Sequence, residues 1–342
     1  MVVLPIYINF LRPYLYLVYL SAMKALVFNA LHQPLDLEEI LIPTPAPGEA
    51  LVRLQAAALN HRDLFITQGL YANIRTPCIL GADGAGEHTG QPVVIYPALA
   101  WGAYPAAQGR DFRVLGMPEN GTFAEYLCIP EENLYPKPAH LSWEQAAALP
   151  LAGLTAWRTL FTRCNLHAGE RVLITGIGGG VAITALQFAL AAGAIVWVTS
   201  GSEEKIARAV ALGAQGGVNY QQAGWDKQLK KEVGGFDIII DSAGGDGFAA
   251  LPGLCHPGAR IGIYGGTLGK VNGLSPQLVF WKQISILGST MGSHADFAAM
   301  LDLVTKHKIV PVVDSVFSLA EGNLALDKLA GGGQFGKVVL RM

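Results

Sequence analysis

The segment 171–200 reads RVLITGIGGGVAITALQFALAAGAIVWVTS, and few arrangements accommodate it. Val172 to Thr175 is a short, apolar, β-branched run that predicts a buried strand. Gly176, Gly178, Gly179 and Gly180 follow where the chain has to turn sharply. The next stretch is apolar, without glycine or proline, until Ala191, Ala192 and Gly193 stop it, and Ile195 to Thr199 restarts a strand. A strand, a glycine turn, a helix and a second strand in this frame predict a dinucleotide-binding unit. Its glycines let phosphate approach the backbone, while the helix aims unpaired N–H groups and the positive end of its dipole at the pyrophosphate. The plainer alternative is a glycine-rich turn with no ligand.

The same grammar continues on the C-terminal side. Strands and helices alternate from Leu151 to about His294: the helix Glu203 to Leu212, Gly217 to Tyr220, a helix around Trp225 to Val233, the strand Phe236 to Asp241, a helix from near Gly247 and the strand Arg260 to Tyr264. That pattern predicts a parallel sheet covered on both faces. Between Met23 and Pro150 the pattern is different, with short strands separated by proline and glycine. Lys24 to Asn29, Leu37 to Ile42, Glu49 to Ala58, Gln91 to Tyr96 and Gly121 to Ile129 read as strands of a mostly antiparallel, barrel-like domain. The run LSWEQAAALPLAGLTAWRTLF opens with a capping box, Ser142 and Gln145, and carries the chain toward the glycine cluster. After Asp296 to His307, the segment VVDSVFSL, a short helix Gly322 to Leu329 and FGKVVLRM close the chain, with the last strand expected to return to the first domain. The expected division is therefore 1–22 as an atypical apolar extension, 23–150 with 295–342 as one domain, and 151–294 as the other.

A length of 342 residues suits two domains. A net charge of −2 with 15% charged residues leaves no electrostatic footprint for nucleic acid, so the expected partner is small. Cys78, Cys128, Cys164 and Cys255 are scattered without a CxxC, which fits a reducing, cytoplasmic compartment and gives neither a disulfide framework nor a zinc lobe. Pro5, Asn9, Arg12 and Pro13 interrupt the apolar first 22 residues, which match neither a spanning helix nor a signal peptide.

Several residues can carry chemistry. Ser200 ends the second strand, where an acid commonly binds the adenosine ribose; here Ser200 and Lys205 suit a 2′-phosphate instead. Alternatively Ser200 is only the cap of the following helix. Ser242-Ala243 and Tyr264-Gly265 follow two strands on one carboxyl edge, where small residues admit the nicotinamide or merely make tight turns. Asp241 is equally a structural carboxylate or a ligand contact. Asn60, Arg62, Asp63 and Tyr71, set between apolar runs of the barrel domain, are candidates for substrate orientation or for a hydrogen-bond network joining loops. His61 lacks a neighbouring carboxylate and cysteine at metal spacing.

Taken together, AALNHRDLF, PCILGADGAGE, LAGLTAWRTLF, ITGIGGGVA, the turn from VTS to Lys205 and GGGQFGKVVL resemble the medium-chain dehydrogenase/reductase family, and within it the zinc-free quinone-oxidoreductase-like branch. The resemblance spans roughly Met23 to Met342. It implies an α/β architecture in which a Rossmann parallel-sheet domain is joined to a GroES-like, mostly antiparallel β-barrel domain, commonly as a homodimer. It implies NADP(H) contacts at Thr155, Gly178, Gly179, Gly180, Val181, Ser200, Lys205, Tyr220, Ser242, Ala243, Tyr264, Gly265, Phe335 and Lys337. Zinc-dependent members set a cysteine and a histidine–glutamate pair around a metal, whereas this chain has Asn60 and Ala82-Asp83 there, so no catalytic zinc is expected. Their hydroxyl proton relay is also absent, since Arg62 occupies that position. The implied activity is NADPH-dependent reduction of quinones, enones or related activated double bonds, with Asn60, Arg62, Asp63 and Tyr71 on the substrate side. The alternatives are an NADP-dependent aldehyde or ketone reductase and a cofactor-binding structural protein with little turnover.

Overall fold

A computed structural model describes residues 21–342. The expected extension at 1–22 lies outside those residues except at its end, where Ala22 already begins the strand Ala22–Phe28.

Six parallel strands form one sheet in the order Gly216–Asn219, Ile195–Ser200, Arg171–Ile174, Phe236–Asp241, Cys255–Ile263, Ser285–Gly288. Val172, Leu173, Ile174, Ile238, Ile239 and Ile240 are wholly buried, which is why these strands are apolar throughout rather than alternating. The chain runs outward from Arg171–Ile174 through two strands and then crosses back to the other side. That reversal leaves a crevice at the carboxyl ends of Arg171–Ile174 and Phe236–Asp241, the switch point at which such sheets bind ligands. The helix Gly180–Ala191 is buried along most of its length between this sheet and the helix Pro150–Trp157, so its uniform apolarity reflects burial on several sides. Glu203–Ala211 and Trp225–Val233 lie on the surface, burying only Ile206 with Ala209 and only Leu229 respectively.

The second large sheet has the order Leu134–Pro136, Gln91–Ile95, Asp83–His88, Glu49–Ala58, Lys337–Arg341, Val313–Ser318, with Tyr126–Pro130 also pairing Glu49–Ala58. Its pairings are antiparallel except that between the last two strands. The expected return of the C-terminus is thus present, with Leu340 opposite Ala57. A smaller sheet joins Asp36–Leu41, Ala22–Phe28 and Cys78–Ile79.

Three local expectations change. The stretch GADGAGE, outside the expected strands, supplies most of the central strand Asp83–His88. Glycine is required there by close approach: a Cβ on Gly86 would lie 2.2 Å from the Arg53 carbonyl oxygen. Of Gly121 to Ile129, only Tyr126 onward is strand. The single helical run from Ser142 divides into Trp143–Ala147, Pro150–Trp157 and a π-helical turn Arg158–Arg163, because Pro150 has no N–H and begins a new helix. The capping box itself forms, with Gln145 N–H donating to Ser142 Oγ at 3.2 Å and Ser142 N–H to Gln145 Oε1 at 2.9 Å. The helix Pro276–Trp281 and the edge strand Ser285–Gly288 had no counterpart in the sequence reading.

Candidate functional site

Gly178 has φ of +140°, a backbone conformation that favours glycine, and turns the chain from strand into helix. Its carbonyl accepts the Gly336 N–H at 3.0 Å, which fastens the C-terminal GGGQFG loop to the turn. Beside Gly176 and Gly179 the space of a Cβ holds no atom within 4 Å. This open backbone next to the first N–H groups of the helix suits a pyrophosphate. Val181 is half-buried in the helix's first turn, and Thr155 is buried in the neighbouring helix Pro150–Trp157.

At the ribose end, Ser200 is buried and its Oγ accepts the Ser202 N–H at 3.2 Å. The cap of the following helix is Ser202, which accepts the Lys205 N–H at 3.3 Å, and not Ser200, because the helix begins at Glu203 and its cap is the residue before. Ser200 is therefore relieved of the capping role. Lys205 lies across Gly178 and donates from Nζ to the Gly332 carbonyl at 2.7 Å. Desolvation holds its pKa below the usual lysine range, against the opposing charges of Asp314 and Glu204. The Tyr220 hydroxyl is 3.1 Å from the Cβ position of Gly201, and the Tyr220 N–H donates to Ser200 O at 3.1 Å, which sets the tyrosine beside the serine. Arg208, which the sequence reading did not single out, stacks 4.2 Å over buried Phe335.

The two turns on the carboxyl edge lean on each other. Thr267 N–H donates to Ser242 O at 3.3 Å and Leu268 N–H to Ala243 O at 2.8 Å, and a Cβ on Gly265 would lie 2.8 Å from Ser242 O. Burial pushes the Tyr264 hydroxyl up to about 12, Ser242 opposing through a hydrogen bond. Asp241 is a structural carboxylate here: it accepts from Thr175 Oγ1 at 2.6 Å and from the N–H groups of Ala243 and Gly244 at 3.1 and 2.8 Å.

Across the crevice, three buried polar side chains meet. Lys337 Nζ donates to Asn60 Oδ1 at 2.6 Å and to Asp83 Oδ2 at 2.8 Å, and Asn60 Nδ2 donates to the same Asp83 oxygen at 2.9 Å. The Leu151 N–H donates to Asp83 Oδ1 at 2.7 Å. The Lys337 stem crosses the glycine turn, since a Cβ on Gly180 would lie 2.6 Å from its Cδ. Sequence reasoning placed Lys337 with the nucleotide and Asn60 with the substrate; the fold joins them. That reasoning placed Asp83 at the position of a metal-binding pair but missed it as the hub of this network.

Asn60 precedes the short helix His61–Thr67, and Asp63 Oδ2 reaches back to its N–H at 2.8 Å. Asp63 is wholly buried, and desolvation raises its pKa to about 6 despite the Arg62 charge 3.7 Å away. Arg62 Nη1 donates to Leu115 O at 2.7 Å, and its guanidinium lies 5.0 Å over Tyr71. Its Nε and Nη2 are buried without a hydrogen-bond partner among the described residues. His61 keeps solvent contact, yet desolvation and the Lys337 cation hold its pKa below the usual value.

This donor set does not fit a catalytic zinc. An amide, a methyl group and a carboxylate already bound to an ammonium offer no thiolate or imidazole, and the ammonium would repel a divalent cation. Among the described residues, no group of three or more His, Cys, Asp or Glu converges to hold a metal.

Residues 46–139 match the alcohol dehydrogenase GroES-like domain, and residues 180–306 the zinc-binding dehydrogenase family. A zinc-type alcohol dehydrogenase-like protein, YogA, of Leptosphaeria maculans is 35% identical, covering 91% of this chain and 95% of its own. The chain belongs to the medium-chain dehydrogenase/reductase superfamily. As such it is an oxidoreductase with a nicotinamide-nucleotide-binding Rossmann fold. Among other members, an acryloyl-coenzyme A reductase of Metallosphaera sedula is 30% identical over 93% of this chain and 99% of its own. A quinone oxidoreductase of Mus musculus is 28% identical over 88% and 92%. The crystal structure of an NAD-dependent alcohol dehydrogenase superposes with a TM-score of 0.89 at 37% identity, covering 94% of this chain and all of that one. No helix among the described residues is long and apolar enough to cross a membrane.

Proposed function

We propose that this enzyme uses NADPH to reduce a quinone, an enone or a related activated double bond without a metal. The observation that carries this reading is the Asn60–Asp83–Lys337 cluster, in which an amide and an ammonium donate to one carboxylate in the place where metal-dependent members gather ligands. When bound, NADPH supplies a hydride equivalent. Gly178, Gly179, Gly180, Val181 and Thr155 would hold its diphosphate and nearby groups, Ser200, Lys205 and Tyr220 its 2′-phosphate, and Ser242, Ala243, Tyr264 and Gly265 its nicotinamide half, with Phe335 closing the C-terminal loop. Fixed donors then meet negative charge growing on the substrate oxygen. Asn60 has one amide N–H beyond that given to Asp83, and Arg62 has two buried N–H positions to offer. Tyr71 or solvent returns the proton, and Asp63 holds Asn60 in place by capping its helix.

The similarity to an acryloyl-coenzyme A reductase and a quinone oxidoreductase favours activated double bonds. An aldehyde or ketone reductase is the second reading, favoured by the alcohol dehydrogenase relatives. Purified enzyme given an enone, its saturated ketone and a quinone under one NADPH concentration separates the two. Turnover of the saturated ketone alone would reverse the order, and NADPH binding with no turnover of any would favour the non-enzymatic reading. Single-turnover reduction by Asn60→Ala at saturating NADPH tests the donor role, with a loss of about 2 to 4 kcal/mol in barrier stabilisation expected.

We further infer the domain division 23–150 with 295–342 against 151–294, which follows sheet membership. A cytoplasmic setting accords with four free cysteines, and a homodimer with the exposed Phe280, Trp281 and Ile286 at the open edge of the parallel sheet.

A further inference from the structure

We propose that the Lys337 ammonium is the electrophile of this enzyme, the fixed positive charge that meets the substrate oxygen in place of a metal ion. The inference rests on the reading of the enzyme as a reductase of conjugated carbonyls, and it goes beyond a contact to the nucleotide.

The position of Lys337 is fixed from both sides. It starts the strand Lys337–Arg341, directly after Gly336, whose N–H is bound to the glycine turn. Its stem lies along Gly180, and its side chain is only 6% exposed. The hydrogen bonds to Asn60 and Asp83 use two of the ammonium's three N–H donors, leaving one. A salt bridge serving stability alone would be fully explained by Asp83. Here, however, the carboxylate is shared: Leu151 N–H draws on its other oxygen and Asn60 Nδ2 on the same one, so Lys337 is not its sole partner. The cation thus stands between the nucleotide turn and the amide of Asn60, with a donor to spare.

The other candidate donors stand differently, although Arg62 keeps two unpartnered N–H positions among the described residues. Asn60 has committed its oxygen and one N–H, and a neutral amide is a weaker partner for an oxyanion than an ammonium. Arg62 is anchored to Leu115 and stacked on Tyr71. In the step, the β-carbon of the enone gains a hydride from dihydronicotinamide, which is oxidised to the nicotinamide. The displaced π pair becomes the enolate oxygen's charge beside Lys337 Nζ, and the α-carbon then takes a proton from solvent. One hydride and one proton are consumed, and Lys337 ends as it began.

An enolate mimic tests this without turnover. 4-Nitrophenol is titrated into NADP+-saturated protein while its absorbance reports whether it is bound as phenol or phenolate. Wild type and Lys337→Arg are expected to hold it as phenolate below its solution pKa, whereas Lys337→Met loses phenolate affinity by about tenfold or more. NADP+ affinity, measured by calorimetry on the same proteins, is expected to change much less. Because Lys337→Met leaves Asp83 unpaired, Lys337→Met/Asp83→Asn serves if the single variant does not fold. Single-turnover reduction of a cyclic enone by Lys337→Ala should in turn recover with added methylamine. Unchanged phenolate binding in folded Lys337→Met, or an equal loss of NADP+ and phenolate affinity, overturns the proposal and leaves a phosphate anchor. A wild-type protein that binds phenolate through Lys337 yet reduces no enone or quinone supports the oxyanion site while removing the reductase reading.

Discussion

The backbone N–H of Leu151 donates to Asp83 Oδ1 at 2.7 Å, so the helix that leads into the nucleotide-binding sheet is tied to a strand of the barrel through one buried carboxylate. The other oxygen of Asp83 serves Lys337 and Asn60. Domain docking and site geometry therefore depend on the same group. A change in the angle between domains would displace Lys337 and Asn60 together.

NADPH is expected to bind at least about tenfold more tightly than NADH, the worth of one charge-assisted phosphate contact. Lys205 is the expected source of that contact, with Ser200 and Tyr220 as further candidates. Lys205 must exchange the Gly332 carbonyl for phosphate, which costs part of the gain. Fluorescence titration of both nucleotides decides, and Lys205→Ala should weaken NADPH while sparing NADH. Equal dissociation constants would remove the preference, in keeping with the NAD-dependent alcohol dehydrogenase of similar structure.

Activity is expected to survive strong chelator, and elemental analysis to find no stoichiometric zinc. Lys337 already neutralises the carboxylate that a metal would need. One tightly held zinc per chain, lost together with activity, would contradict this and reopen Asp83 and His61 as ligands.

The parts of this architecture that were legible in the sequence are those where burial and local periodicity agree. Val172 to Thr175, the helix after the glycine cluster and Phe236 to Asp241 are apolar because they lie inside a parallel sheet. Asp83–His88 was not legible, because Gly86 is fixed by the Arg53 backbone of a strand distant in sequence. The union of Asn60 with Lys337 was hidden for the same reason, since 277 positions separate them and only the return of the last strand brings them together.

Stability is expected to fall as pH rises from about 4 to about 6, through Asp63. Burial lifts its folded pKa to about 6 from the ordinary aspartate value of 3.8, so the folded state holds the proton longer than the unfolded chain does. The folded state is therefore favoured by this group at low pH, and that advantage is lost as pH rises through the folded pKa, by at most about 3 kcal/mol. Asp63→Asn keeps an oxygen for the Asn60 N–H and removes the titration. Urea midpoints across this range should be flatter for the variant; parallel curves would exclude Asp63 as their cause.

Self-association is expected at the open edge of the parallel sheet. Among the described residues, Ser285–Gly288 has an unpaired backbone edge, and Trp281 beside it is 82% exposed. Ile286→Lys with Trp281→Asp should convert a dimer to a folded monomer in sedimentation. A wild type that sediments as a monomer at all concentrations would exclude the dimer.

Arg158→Met is expected to lower stability by about 3 to 5 kcal/mol, because it strands a buried carboxylate. Arg158 Nη1 donates to Asp296 Oδ2 at 2.7 Å, with the two side chains 3% and 7% exposed. Nη2 donates to the carbonyls of Pro105 and Ala106 at 3.0 and 2.8 Å, and Trp101 stacks on the guanidinium at 4.9 Å. Desolvation would raise the pKa of Asp296, but hydrogen bonds from Thr162, Ser293 and Arg158 outweigh it and hold the group below the usual carboxylate range. With its folded pKa depressed, Asp296 contributes stability above the unfolded carboxylate value of about 3.9, and that contribution is lost as pH falls through the folded pKa. The cost of Arg158→Met, read from urea unfolding, should therefore be full at neutral pH and shrink in acid. Arg158→Met/Asp296→Asn should recover part of it by removing the stranded charge. The segment 101–109 should meanwhile become a proteolytic cleavage site in the single variant, since its anchoring donors are gone. A Met variant as stable as wild type at neutral pH, with that segment still protected, would show that the buried pair does not hold the loop against the helical turn that carries Arg158.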